Sequence, residues 1–122
     1  MDVSIVAVDK EIWRGDADMV LARSTEGEFG VQRGHIPFLA ALVPGLVTVV
    51  DGTSRRTWKV PAGFLEASGT WEDYHVIVLV DDAEEVGDID ANEAARLIDE
   101  MKQARRRGSE EREPETPQPL TR

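Results

Sequence analysis

Cysteine is missing from the chain altogether, which removes disulfides, thiol nucleophiles and cysteine-based zinc sites together and suits a reducing compartment. Histidine occurs only as His35 and His75, in no HxH or HExxH arrangement, so the sequence offers no metal-ligand spacing. No apolar run approaches the ~18 residues of a membrane span. The longest, around Val76 to Val80, has the length of a strand. The basic start and apolar stretch of a signal peptide are lacking too, as is the Arg/Ser-rich bias of a transit peptide, so cytoplasmic residence is expected. Bases are scarce, 14 against 24 acids, for a net charge of -10. That balance argues against nucleic acid as a partner, because phosphate contacts need a basic patch. There is no GxxxxGK[ST] phosphate loop, no GxSxG elbow and no Ser/His/Asp arrangement, and Gly27 with Gly30 falls short of a dinucleotide fingerprint. The chain is expected to be no enzyme and to hold no cofactor or metal.

What is present is a β pattern. A length of 122 residues, 41% hydrophobic, suits one modest core with a small appendage. Residues 2 to 80 read as short strands separated by turn signals, the pattern of a sandwich or barrel. Val3 to Val8 is apolar on both faces apart from Ser4, which predicts a strand between two layers. An Arg14-Gly15 turn is expected to lead into a strand over Asp16 to Arg23. Pro44-Gly45 precedes a strand over Leu46 to Val50, Asp51-Gly52 signals a hairpin, and Arg55 to Val60 returns with Thr57 and Lys59 on a wet face. Tyr74 to Val80 is the most β-prone run and is predicted to be a central strand.

After Val80 the pattern changes. The sequence divides into a β domain over 1–86, a helix over 87–108 and an acidic, proline-bearing tail over 109–122 that is expected to be disordered. Residues 81–122 hold 13 acids and 7 bases, against 11 and 7 in residues 1–80. Asp90 is placed to cap the helix with Glu93 three residues on, and Ala94, Leu97, Ile98, Met101 and Ala104 form one stripe. Arg105, Arg106 and Arg107 suit its C-terminal end, and Gly108 is expected to stop it. So narrow a stripe needs something to pack on.

The stretch from Glu26 to Gly45 combines Gly27, Gly30, Gly34, Pro37 and charge, and reads as tight turns that are also a docking edge. Glu28 and His35 within it could form an acid/base pair, but no nucleophile motif accompanies them. Trp13, next to Arg14-Gly15, is placed at a turn, partly exposed for a protein partner. Trp58 and Trp71 are core or strand-face residues in the plain reading. In an alternative reading Trp58 or Trp71 is the stacking platform of a free-standing β-sandwich ligand-binding module.

The residues at Gly27, Glu28, Gly30, Gly34, His35, Pro37, Pro44 and Gly45 reproduce a G-E-x-G-x-x-x-G-H-x-P-x-x-x-x-x-x-P-G pattern. With EIWRG at 11–15, AGFLEASG at 62–69 and VIVLVDDAEEVGDID at 76–90, the chain resembles the epsilon-subunit family of bacterial F-type ATP synthases. The resemblance implies a mainly β fold, an N-terminal β-sandwich of about ten short strands followed by a short helical segment. It also implies a non-catalytic central-stalk subunit that binds gamma and the c-ring and couples proton transport to ATP synthesis. Its place would be peripheral, at the cytoplasmic face of the bacterial cell membrane, with the C-terminal region reaching the catalytic alpha/beta head only weakly. By position, Glu28 faces the c-ring loops, His35 lies at the gamma contact, and Ile12 with Trp13 sits on the rotor-facing surface.

Three departures accompany the resemblance. Arg33 stands where the family commonly has Pro, adding a charge beside His35 that is expected to favour an acidic partner. Glu93 replaces the Arg of an I-D-x-x-R-A nucleotide motif that Ile89, Asp90 and Ala94 otherwise fit, and an anion there disfavours phosphate. The family's second C-terminal helix has no counterpart in Ser109 to Arg122, so weakened inhibition of ATP hydrolysis is expected.

Overall fold

Alternating side chains, short spacing and glycine turns resolve into ten strands and one helix in a computed structural model that describes residues 1–87 and 91–112. The strands are β1 (Asp2–Ala7), β2 (Lys10–Asp16), β3 (Met19–Ser24), β4 (Gly27–Gln32), β5 (Phe38–Leu42), β6 (Gly45–Asp51), β7 (Ser54–Val60), β8 (Gly63–Gly69), β9 (Tyr74–Val80) and β10 (Glu84–Glu85); the helix is α1 (Ala91–Arg112). The hydrogen-bonded path runs β10-β7-β6-β3-β5-β8-β9-β1-β2, with β4 on β3. Every pairing is antiparallel except β1 with β9.

The path turns a corner at β3. Met19, Val20 and Leu21 pair with β6, whereas the junction to β5 is the single pair Ser24↔Leu42. Two layers result, one of β4, β3, β6, β7 and β10 and the other of β5, β8, β9, β1 and β2. Between them lie Val20, Ala22, Val47, Val49 and Trp58 from one side and Val3, Ile5, Leu65, Ala67, Val76 and Val78 from the other. The expected mainly β sandwich, with its ten short strands and a C-terminal helix, is the observed fold. Tyr74–Val80 is an interior strand, paired to β8 and β1. The β6–β7 hairpin closes at Asp51↔Ser54 with Gly52 at φ 65, as its Asp-Gly signal predicts.

Several local expectations are corrected. Arg14 and Gly15 lie inside β2, not in a turn, and the break before the next strand falls at Ala17-Asp18, where the chain crosses to the other layer. Glycine is needed at Gly15 because a β-carbon there would lie 2.6 Å from the Trp13 ring. Glu26 to Gly45 is mostly β4 and β5, with non-strand backbone at Glu26, over 33–37 and over 43–44. Thr57 is not wet but 7% exposed. Its Oγ1 bonds Thr48 Oγ1 at 3.0 Å, its carbonyl accepts from the Val86 amide at 2.9 Å, and α1 lies against neighbouring β6. The helix runs through Gly108 to Arg112, because an interior glycine lowers helix propensity by about 1 kcal/mol without removing a backbone hydrogen bond. Ala94, Leu97, Ile98 and Met101 are half-buried, as the stripe requires. Asp90, the side chain of Ala104 and the tail from 113 lie outside the described residues.

Gly63 illustrates how tightly β8 and β9 are fitted. A β-carbon there would lie 2.1 Å from the Leu79 carbonyl oxygen, a backbone atom that cannot move without breaking the ladder. Gly63→Ala is therefore expected to destabilise the fold by about 1–3 kcal/mol, the ordinary penalty of overpacking. The check is the urea midpoint, with a value unchanged from the parent counting against this register.

Candidate functional site

The two open flanks of the sandwich are closed by aromatic pairs. On one, Phe29 of β4 meets Phe38 of β5 edge to face at 6.1 Å, and the loop 33–37 lays the His35 ring on Phe38 at 4.8 Å. Above them an open groove of about 360 Å³ is lined by Ser24, Glu28, Phe29, Gly30, His35 and Ala40, among others. The structure therefore brings Glu28 and His35 together. His35 Nδ1 donates to the Ile36 carbonyl at 2.8 Å, which leaves Nε2 as the outward nitrogen. The hydroxyl in this groove is engaged in its own turn, since Ser24 Oγ donates to the Gly27 carbonyl at 3.3 Å and accepts from the Glu26 amide at 3.1 Å. No hydroxyl free of such a turn lines the groove beside the carboxylate and imidazole among the residues named. Among the described residues no group of three or more acidic, histidine or cysteine side chains could hold a metal.

On the opposite flank, β2 carries a bulge between the Ile5↔Trp13 and Val6↔Glu11 pairs, and Ile12 is the extra residue. Ile12 and Trp13 both pack on the core. Trp13 is thus not at a turn: its ring lies 5.5 Å from that of Trp58, and Arg56 covers both rings at 5.6 and 5.4 Å. Trp58 is 2% exposed, so it cannot be the stacking platform of the ligand-binding alternative. Arg56 in turn donates from Nε and Nη2 to Glu85 at 2.8 and 2.9 Å, tying β10 to β7.

That hydrogen bond, with the guanidinium charge, holds the Glu85 carboxyl below its ordinary range against the opposing pull of burial. A lowered folded value means that the stabilisation is present above the unfolded carboxylate range and is lost as pH falls through the folded value. Both side chains are well exposed, so Glu85→Gln is expected to cost less than about 1 kcal/mol at neutral pH. The difference in urea midpoint from the parent should close on acidification below about pH 4. A gap that persists there would rule out the charge as its source.

Arg33, the remaining candidate, lies at the tip of the 33–37 loop with its Cζ 5.6 Å from the Trp71 ring centroid. The five candidate residues thus occupy both flanks and one tip and do not form a single surface.

Sequence reasoning passed over the broadest apolar surface. On the outer face of β5, β8, β9 and β1, Ala41 pairs with Phe64, Phe64 with Leu79, and Leu79 with Val6. Phe64 is 50% and Leu79 44% exposed, and the adjoining row places Leu39 and Ile77 on either side of the exposed Glu66. The signal was the run Tyr74 to Val80, apolar on both faces. Such a run means cover on both sides, yet within the chain only Tyr74, Val76, Val78 and Val80 are buried. β1 is the same, with Val3, Ile5 and Ala7 inside and Val6 half-buried on the outer face, so among the described residues it lies in one layer and not between two.

Comparison with known proteins gives a consistent picture. The family model described as ATP synthase, Delta/Epsilon chain, beta-sandwich domain matches residues 1–86. The ATP synthase epsilon chain of Anaeromyxobacter sp. (strain K) is 36% identical over 100 residues, covering 82% of this chain and 73% of its own length. The ATP synthase epsilon chain of Thermobifida fusca (strain YX) is 40% identical over 100 residues, with 79% and 70% covered. Among solved structures, a chain of the Tetrahymena thermophila mitochondrial ATP synthase central stalk/c-ring superposes with a TM-score of 0.61 at 16% identity, covering 88% of this chain and 91% of that one. A chain of the Euglena gracilis mitochondrial ATP synthase OSCP/F1/c-ring structure gives 0.63 at 23%, covering 83% and 62%. At these identities the structural likeness concerns the fold.

Proposed function

The chain belongs to the ATP synthase delta/epsilon family, and from that premise we propose that its sandwich docks on the gamma subunit through the open apolar face of β5, β8, β9 and β1. It is a non-catalytic central-stalk subunit of the rotor. The observation that carries the gamma contact is the unbroken row Ala41, Phe64, Leu79 and Val6, in direct register across four strands, with the first three exposed and Val6 half-buried. Contiguous exposed apolar surface of this kind marks a protein interface. An inter-strand face is also rigid enough to pass torque without slack.

The groove at the β4/β5 flank supplies the second contact. Glu28 faces the polar loops of the c-ring and His35 lies at the border with gamma, a reading supported by their sharing one groove. Ile12 and Trp13, half-buried at the far flank, sit on the rotor-facing edge. The subunit is peripheral at the cytoplasmic face of the cell membrane; no described helix is long and apolar enough to cross a membrane. The C-terminal helix reaches the alpha/beta head only weakly. Its apolar side chains are half-buried with α1 against β6, and Glu93 pairs with Arg96 at 3.7 Å.

Co-expression with gamma tests the reading. The two chains are expected to co-elute in gel filtration, and elution of this chain alone while gamma precipitates would overturn it. Deleting residues 88–122 is expected to raise ATP hydrolysis in membranes by less than about twofold, a small change in barrier terms. A large activation would show a strong inhibitory contact instead.

A further inference from the structure

Beyond the His35 ring on Phe38 and His35 Nδ1 on the Ile36 carbonyl, the loop 33–37 has little to hold it. It belongs to no strand, and its one backbone hydrogen bond besides those of the ladders runs from the His35 amide to the Gln32 carbonyl at 3.2 Å. Ile36 beside it is 74% exposed. Such a loop is ordinarily mobile, which ill suits a contact meant to be fixed. Its hold comes from another part of the chain. Gly34 adopts φ +91, and a β-carbon on it would lie 2.7 and 2.8 Å from Cζ3 and Cε3 of Trp71, so the ring is seated directly on the glycine. The same ring carries the Arg33 guanidinium at 5.6 Å, within cation–π range.

Trp71 itself stands on a firm base. The Asp73 amide donates to the Thr70 carbonyl at 3.1 Å and to Thr70 Oγ1 at 3.2 Å. Gly69, at φ +115, turns so sharply that a β-carbon would fall 2.2 Å from the Asp73 carbonyl oxygen. A ring fixed on that turn, 61% exposed yet fitted to a neighbouring backbone, is placed as a clamp and not as core.

We infer that Trp71 is the positioning residue of the 33–37 loop: seated on Gly34 and carrying Arg33, it locks the loop and the 69–73 turn into one unit and so sets the place of His35. This accounts for an arginine at position 33. Its guanidinium is engaged on an aromatic face of the same chain, and an acidic partner is not needed to explain it. The inference rests on the proposed docking role only for what the loop touches; the interlock is a property of the free chain.

The test measures amide exchange of the free full-length chain by NMR, with Trp71→Ala, Trp71→Phe, Arg33→Ala and Gly34→Ala compared with the parent. Trp71→Ala is expected to raise exchange of the His35 amide by about tenfold, the scale of a lost cation–π contact and its packing, with β8 and β9 amides unchanged. Trp71→Phe, which keeps a ring over Gly34, should retain most of the protection. Gly34→Ala expels the ring and also strains a backbone at φ +91, so it lowers protection on its own; adding Trp71→Ala to it should then cost clearly less than Trp71→Ala costs in the parent, a non-additivity reserved for residues in contact. Unchanged His35 protection in Trp71→Ala, or full additivity of the pair, overturns the inference. A second arm measures affinity for gamma. Where the parent binds, Trp71→Ala should weaken binding by about tenfold with little salt dependence. If instead Arg33→Ala weakens binding with a steep salt dependence while the His35 amide stays protected, Arg33 meets the partner directly and the clamp is refuted. If the parent itself fails to bind gamma, the docking role falls while the exchange result still decides the clamp.

Discussion

Trp58→Ala is expected to remove about 3–5 kcal/mol of stability, the usual cost of truncating a buried tryptophan to alanine. For a domain of this size that is a large share of the whole, so the variant should be found partly unfolded at 25 °C with a sharply lowered urea midpoint. The reason is positional as much as volumetric. Trp58 is 2% exposed, fills the gap between layers at the β2/β7 flank, and supports the Trp13 ring at 5.5 Å. Arg56 lies over both rings and holds Glu85 through two hydrogen bonds. Loss of the indole therefore undermines the flank and the β10 tether together. Trp13→Ala, from a half-buried site, should cost distinctly less. A Trp58→Ala midpoint within about 1 kcal/mol of the parent would mean that the flank collapses over the void, as some core sites do.

Phe64→Asp carries the second large effect, on binding more than on folding. At 50% exposure the side chain lies on the open face, in register with Ala41 and Leu79, so a carboxylate there stays hydrated in the free subunit. Stability should fall by about 1–2 kcal/mol, from the buried half of the ring and the low strand propensity of Asp, which leaves the variant folded enough to be titrated. In the complex the same charge would be buried without a partner. An uncompensated buried charge costs about 3–5 kcal/mol, which corresponds to a loss of gamma affinity of about a hundredfold or more. Titration calorimetry against gamma measures it, with Thr53→Asp at the β6–β7 hairpin as the control expected to bind normally. Full affinity in Phe64→Asp would remove the apolar face from the interface.

The parts of this molecule that could be read from the chain are those decided by neighbours in sequence. Asp51-Gly52 makes a hairpin because the backbone of a two-residue turn demands a glycine there. Tyr74 to Val80 is an interior strand because β-branched residues crowd it, and Ala94, Leu97, Ile98 and Met101 share a helical face because of their spacing. The misreadings share a cause as well. Arg14-Gly15 has the look of a turn, but Gly15 is small for the Trp13 ring that crosses it. Thr57 looks like a wet residue from its alternation, but it is covered because later chain returns to β7 and because α1 lies against β6. Gly108 looks like a stop, yet the helix continues through it.

Taken alone, the sequence determined a cysteine-free mainly β sandwich with a trailing helix, no catalytic machinery, and a family pattern running through Gly27, Glu28, Gly34, His35 and Gly45. Composition, alternation and turn chemistry are local properties, and local properties survive in a linear string. Tertiary structure alone decided which residues meet across distance: Glu28 with His35 in one groove, Trp13 with Trp58 and Arg56 at the far flank, and Arg33 and Gly34 under Trp71. It also decided that, among the described residues, Phe64 of β8 and Leu79 of β9 stay exposed on the outer face. An apolar run on two faces leaves open which face enters the core, and only the packed molecule decides it, because that depends on which layer lies opposite.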